Sequence, residues 1–164
     1  MTLKASMAPV GARDARLLVL GSLPGDASLA AQRYYAHPTN QFWRLLGTAL
    51  GEELAGIAYD ARLERLAARR VALWDVVERA ERAGSLDGAI RGARHNALAE
   101  FVAEHPRLEA VGFNGKTAAA IGRRALGETR LVLIDLPSSS AAYTLGVEAK
   151  AERWRALAAF VDPV

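Results

Sequence analysis

No cysteine occurs in the 164 residues. That removes disulfides, zinc–thiolate sites, iron–sulfur clusters and thiol nucleophiles. Histidine is scarce as well: His37, His95 and His105 stand far apart, without the spacing of metal ligands, so a metal enzyme is not expected. No apolar run approaches the roughly 18 residues of a membrane span. The N-terminal stretch MTLKASMAPVGAR lacks the apolar core of a signal peptide. A cytoplasmic protein away from any membrane, and a monomer, is the expectation. Also missing are the G-x-G-x-x-G fingerprint, the Lys-Ser/Thr of a P-loop and the G-x-S-x-G elbow of serine hydrolases. A small-molecule esterase therefore has little to stand on.

What is present is a chain with 51% hydrophobic residues, enough for a core of two or three layers in one compact domain. That domain is expected over residues 1–164, with 1–14 as an N-terminal extension. The net charge of +3 and the pI of about 9.6 lean toward a polyanionic partner. Nearly all of the positive charge is arginine, which an Ala-, Arg- and Gly-rich composition would supply without any such partner.

Patterning predicts strands alternating with helices. ARLLVLGSLPG (15–25) reads as a buried strand entering a tight loop. A polar segment follows to Asn40. From Gln41, the spacing of Phe42, Leu45, Leu46, Ala49 and Leu50 predicts an amphipathic helix ending near Gly51. Residues 60–70 predict a second helix, with Leu63 and Leu66 inward and arginines outward. RVALWDVV (70–77) predicts a second strand, and 82–96 has turn chemistry without a period. NALAEFVAEHP (96–106) predicts a helix, LEAVGFNG (108–115) a strand, and KTAAAIGRRAL (116–126) the helix after it. TRLVLIDLPSSS (129–140) predicts a fourth strand running into a serine loop. The last helix, 148–161, is expected to bury Ala151, Trp154, Ala158 and Val161. Such alternation indicates an α/β domain with a mostly parallel sheet. Sites in such sheets form beyond the carboxyl ends of the strands, here in the loops 21–40, 113–117 and 136–145.

Those loops hold the candidate residues. Gly21 and Gly25 permit a sharp turn with the backbone close to a ligand. Tyr34 and Tyr35 could stack on a flat ring, or simply pack in the core. His37 has the structural role as its ordinary reading. Asn40 could cap the helix that follows, and its amide could also hold a water or read a base edge. Ser138, Ser139 and Ser140 follow a rigid Pro137 and could grip phosphate oxygens. Lys116 opens a helix, where its charge opposes the dipole and so hints at an anion. Of the acids, only Asp75 and Asp135 end strands near these loops. The residues themselves reach an α/β domain with a flat-ring pocket and an anion-holding rim.

GSLPG, YYAHPTNQFW and LPSSSAAY, in this order, resemble the uracil-DNA glycosylase superfamily, and most of all its hypoxanthine-DNA (deoxyinosine) glycosylase branch. ALWDVVERAERAGSLDGAI is similar to the same branch, and the likeness runs from about residue 15 to the end. The resemblance implies a three-layer α/β/α sandwich with a central four-stranded parallel sheet. It also implies a monofunctional glycosylase of base excision repair that needs no cofactor. Such an enzyme flips a deaminated base, here hypoxanthine, out of double- or single-stranded DNA and hydrolyses its N-glycosidic bond. The alternatives are a uracil, xanthine or mismatch glycosylase of the same fold and a non-catalytic nucleic-acid-binding domain.

Site roles follow from that resemblance. Asn40 orients the water, with Ser22 beside it. Tyr35 stacks on the base, Leu23 and Asn114 face it, and Ser138, Ser139 and Ser140 hold the flanking phosphates. Ala141 to Tyr143 enter the duplex gap, and Lys116 adds phosphate affinity. Two positions depart from the pattern. Mismatch-specific relatives carry a catalytic Asn where this chain has Leu23, and the branch often reads SPAN where this chain has SAAY, with Tyr143 in place of Asn.

Overall fold

The structure, a computed structural model, describes residues 2–163. Its elements run β1 (Thr2–Ala5), β2 (Leu17–Gly21), α1 (Asp26–Ala31), α2 (Phe42–Leu50), α3 (Tyr59–Ala68), β3 (Val71–Asp75), β4 (Val77–Arg82) and β5 (Arg91–His95). They continue through α4 (Leu98–Glu104), β6 (Ala110–Asn114), α5 (Lys116–Leu126), β7 (Val132–Leu136) and α6 (Val147–Trp154), with a 3₁₀ turn over Arg155–Phe160. No helix among the described residues is long and apolar enough to cross a membrane.

Four parallel strands form the central sheet in the order β3-β2-β6-β7. Their sequences dictate this. Every residue of β2 and β6 is buried, as near-continuous apolar strands covered on both faces must be. Successive side chains alternate between the two faces. Leu17 and Val19 join a core with α2, α3 and Trp154, while Leu18 and Leu20 join a second core with Phe101 of α4 and Ala118 of α5. The result is the three-layer α/β/α sandwich. On α2 the expected apolar face is buried in full, and Gly51 ends the helix at φ 72°, a conformation that glycine adopts without strain.

Several expectations are corrected. The strand expected over 70–77 stops at Asp75, because Val76 and Val77 turn to donate their N–H groups to Gly21 and Ser22. Residues 82–96 are not plain turn: β4 and β5 form a hairpin, and β1 pairs with β4 to make a three-stranded antiparallel sheet. Two register shifts interrupt the hairpin, which erases the period-two signal. The short helix α1 lies in the segment taken as polar loop. The first residues, expected as an extension, supply β1, and Val10 bridges to Leu73 along the free edge of β3.

In the last helix, Ala158 is exposed and Leu157 is buried. The chain tightens to 3₁₀ geometry after Trp154, and three residues per turn place 157 under 154, where an α-helix would place 158. Arginines are not all outward on α3 and beyond it, since Arg69 is buried and donates to the carbonyl of Leu50.

Candidate functional site

A cavity of about 300 Å³ opens at the carboxyl ends of the parallel strands, within the size range of small-ligand sites. Gly21, Asp75 and Asn114 end three of those strands and line its floor. The structure brings together Ser22, Leu23, Tyr35, Asn40, Asn114, Ser138, Ser139, Ser140 and Ala141 around it. Tyr143 and Lys116 are not among the lining residues. Both are exposed, and the Tyr143 ring lies 5.3 Å from the Lys150 ammonium.

One wall is a closed hydrogen-bond network. Asn114 donates from Nδ2 to Ser139 Oγ at 2.8 Å and accepts the Ser139 N–H on Oδ1 at 2.9 Å. The Ser139 hydroxyl donates in turn to Asn40 Oδ1 at 2.8 Å. That same oxygen accepts the N–H of Phe42, the first residue of α2, at 2.9 Å, from one position before the N-cap Gln41. Two lone pairs of Oδ1 are thereby used, and the backbone donor settles which end of the amide is oxygen. Asn40 Nδ2, in a half-buried residue lining the cavity, makes no hydrogen bond to the described residues and is left for a ligand.

Two expectations change here. Ser139 is only 1% exposed and spends its hydroxyl on the two asparagines, so it holds Asn40 in place and does not reach a phosphate. Asn114 bonds Ser139 from both ends of its amide, which makes it a positioning residue for the serine loop, while a second Nδ2 proton and a second Oδ1 lone pair are not used by that pair. Ser138 and Ser140 differ from Ser139. They are half-buried, and their hydroxyl oxygens accept N–H groups two residues on, at 3.2 Å, which leaves each hydroxyl proton to donate outward.

Lys150 fastens this wall from behind. It is wholly buried and donates to Gln41 Oε1 at 2.8 Å and Ser140 O at 3.1 Å, while Trp154 donates to Pro137 O at 3.0 Å. Burial pushes the ammonium pKa down. Sequence reasoning missed Lys150, although it stands four residues before Trp154 and hence on the same helical face.

The opposite wall is unfinished. Asp75 is 3% exposed, and its Oδ2 has no hydrogen-bond partner among the described residues. The hydroxyl of Tyr35 has none either, although Asp75 and Asn114 are near. Both groups crowd Gly21: a Cβ there would stand 2.6 Å from the Tyr35 hydroxyl and 2.7 Å from Asp75 Oδ1. Only glycine lets the two oxygens lie side by side. Burial, reinforced by Asp87 and opposed by Arg82, pushes the Asp75 carboxyl up to about 7. Burial, and then Asp75, raises the Tyr35 phenol.

Tyr35 itself takes a left-handed backbone at φ 55°, unusual for an aromatic residue. Its ring lies flat on Phe42 at 3.7 Å, which leaves the opposite face uncovered by Phe42, while the hydroxyl is buried. Tyr34 is core: its hydroxyl donates to Ala8 O and it is 3% exposed.

Leu23 is buried in the second core while touching the cavity. Ser22 donates its hydroxyl to Asp87, which ties it to the hairpin tip. His37 is exposed and accepts the Thr39 N–H on Nδ1, a local turn in keeping with its structural reading. Asp75 is the main residue that sequence reasoning underweighted. Its signal was an acid closing an otherwise apolar strand.

The comparisons agree with this architecture. Residues 8–158 match the uracil DNA glycosylase superfamily. The chain is 38% identical over 154 residues to a hypoxanthine DNA glycosylase of Methanosarcina barkeri, covering 92% of this chain and 95% of that one. It is 37% identical to a hypoxanthine DNA glycosylase of Methanosarcina acetivorans, covering 88% and 90%. A solution NMR structure from Methanosarcina acetivorans, described as that of a candidate uracil DNA glycosylase, superimposes with a TM-score of 0.83 at 35% identity, covering 95% and 96% of the two chains. With a sandwich of this strand order, a cavity at the strand ends and likeness over nearly its whole length, the chain belongs to the uracil DNA glycosylase superfamily.

Proposed function

We propose that this chain is a DNA glycosylase that removes hypoxanthine from DNA by hydrolysis of its N-glycosidic bond. The carrying observation is the pairing of a fixed asparagine amide with an unfinished polar floor across one base-sized cavity, in a chain whose relatives are named hypoxanthine DNA glycosylases.

The chemistry follows from those groups. Breaking the bond sends its electron pair to the purine and leaves an oxocarbenium-like sugar. A water adds to that carbon and gives up a proton, and the purine takes one. Asn40 Nδ2 donates to the water oxygen and holds it beneath the sugar, leaving a second lone pair for attack. This differs from a water held on Oδ1, which is already occupied.

At the floor, ionised Asp75 accepts an N–H and the Tyr35 hydroxyl donates to a carbonyl. That order of acceptor and donor matches the lactam edge of hypoxanthine, whose N1–H adjoins O6. Adenine presents the reverse order, and a site built to pair a donor rejects its absence strongly. A base whose edge meets the Tyr35 hydroxyl cannot also lie face-on over that ring, so the edge contact replaces stacking as the role of Tyr35, whose other face is covered by Phe42. Ser138 and Ser140 hold flanking phosphates, with Ala141 to Tyr143 at the gap and Lys116 adding non-specific affinity. A poorly paired base also costs less to extrude.

The deciding experiment is an excision panel on oligonucleotides carrying inosine, uracil, xanthine or ethenocytosine. Inosine is expected to give the fastest release and an abasic product. No release from any of the four would overturn the reading, and faster release of uracil would move it to the neighbouring activity.

A further inference from the structure

Folding alone does not account for the β4–β5 hairpin. All five residues of β5 are exposed, and the strand is the free edge of its sheet. Yet the hairpin is fastened rigidly to the cavity. Its tip residues Ser85, Leu86 and Asp87 line the rim. Asp87 accepts the Ser22 hydroxyl, and the Ser85 hydroxyl accepts the Asp26 N–H. Arg82, wholly buried, donates to the carbonyls of Leu23, Pro24 and Gly84.

On the stem, Arg79 stands directly opposite Arg94, while Glu81 stands opposite Arg91. Directly opposed residues of antiparallel strands point to one face, and like charges there are destabilising. The Glu81–Arg91 rung neutralises itself and the Arg79–Arg94 rung does not. Glu78 is the remaining acid on the stem. Neither Arg79 nor Arg94 enters an ion pair among the described residues, and both are exposed. A repulsive rung on a rigid ribbon that leads away from a base-sized cavity is complementary to a polyanion.

We infer that the β4–β5 hairpin is a second grip on DNA, in which the Arg79–Arg94 rung takes backbone phosphates of the strand entering the cavity, on the side away from the serine loop. This rests on the proposed function, because DNA is the polyanion that the cavity would bring there.

The test is duplex binding by the full chain across a salt series, with undamaged and abasic-site DNA. R79Q/R94Q is expected to bind about tenfold more weakly at low salt, and its slope of log affinity against log salt to shrink by about two. R79K/R94K is expected to restore both, and the single-turnover rate of inosine release at saturating enzyme is expected to stay within about twofold of wild type. An unchanged slope would overturn the inference. So would self-association of R79Q/R94Q with unaltered DNA affinity, since that marks the charges as guards of a free sheet edge. Inosine release with an unmoved salt slope removes the hairpin's role and keeps the glycosylase. Loss of duplex affinity in R79Q/R94Q from a wild type that releases no base keeps the grip and removes the glycosylase. Wild type without salt-dependent duplex binding overturns both.

Discussion

The two walls of the cavity are built by opposite rules. On the serine-loop side, Asn114, Ser139 and Asn40 satisfy one another, and Lys150 and Trp154 lock the loop from below. On the β3 side, Asp75 Oδ2 and the Tyr35 hydroxyl are buried without partners among the described residues. A satisfied network rigidifies, whereas an orphaned buried polar group costs about 1–3 kcal/mol. One wall therefore serves geometry, holding an amide still, and the other keeps hydrogen-bonding capacity in reserve for what enters. Perturbing the first should lower both stability and rate. Perturbing the second should separate them.

Asn40→Ala is the largest expected effect. It removes the acceptor of the Phe42 N–H, at about 1 kcal/mol, and the donor to water, and base release in single turnover should fall by about 10²–10³-fold. Affinity for undamaged duplex should hold. A variant that cleaves inosine at the wild-type rate would break the contrast.

Asp75→Asn comes next, with opposed readouts. The folded-state value of about 7 lies above the ordinary 3.8. Between those values the native chain keeps a proton that the unfolded chain has released, so stability falls as pH rises through that window and the full penalty stands above it. The variant should lose that slope and gain on the order of 2 kcal/mol at about pH 8, seen by thermal or urea unfolding. Its release of hypoxanthine should slow about tenfold, with poorer rejection of adenine. A variant less stable than wild type at alkaline pH would end the contrast.

Tyr35→Phe is the mildest. The ring keeps its stack on Phe42, so the melting temperature should hold or rise slightly, while inosine release slows by roughly three- to tenfold. Equal kinetics in the two proteins would take the hydroxyl out of base reading.

Much of this architecture was legible beforehand for a physical reason. Strands β2, β3 and β6 and the face of α2 are apolar because they are buried, and burial is what periodicity reports. The hairpin escaped because β4 is mostly charged and interrupted by register shifts, and β5 has no buried face at all. Asn40 was readable from its neighbours. Its partners were not, since Ser139 lies 99 residues away and looks like Ser138 and Ser140 in the sequence. Only the fold decides which of three adjacent serines turns inward. Ala158 was misplaced because a change of helical pitch leaves no mark in composition.

Close contact at Gly21 carries one more consequence. It lets Asp75 and Tyr35 sit together without partners among the described residues, and a guest of matching polarity would supply the bonds they lack. Free hypoxanthine, the released product, presents the same edge as the nucleotide and should bind the cleft, raising the melting temperature as its concentration exceeds its dissociation constant and slowing turnover by product inhibition. Adenine, with its polarity reversed, should do neither.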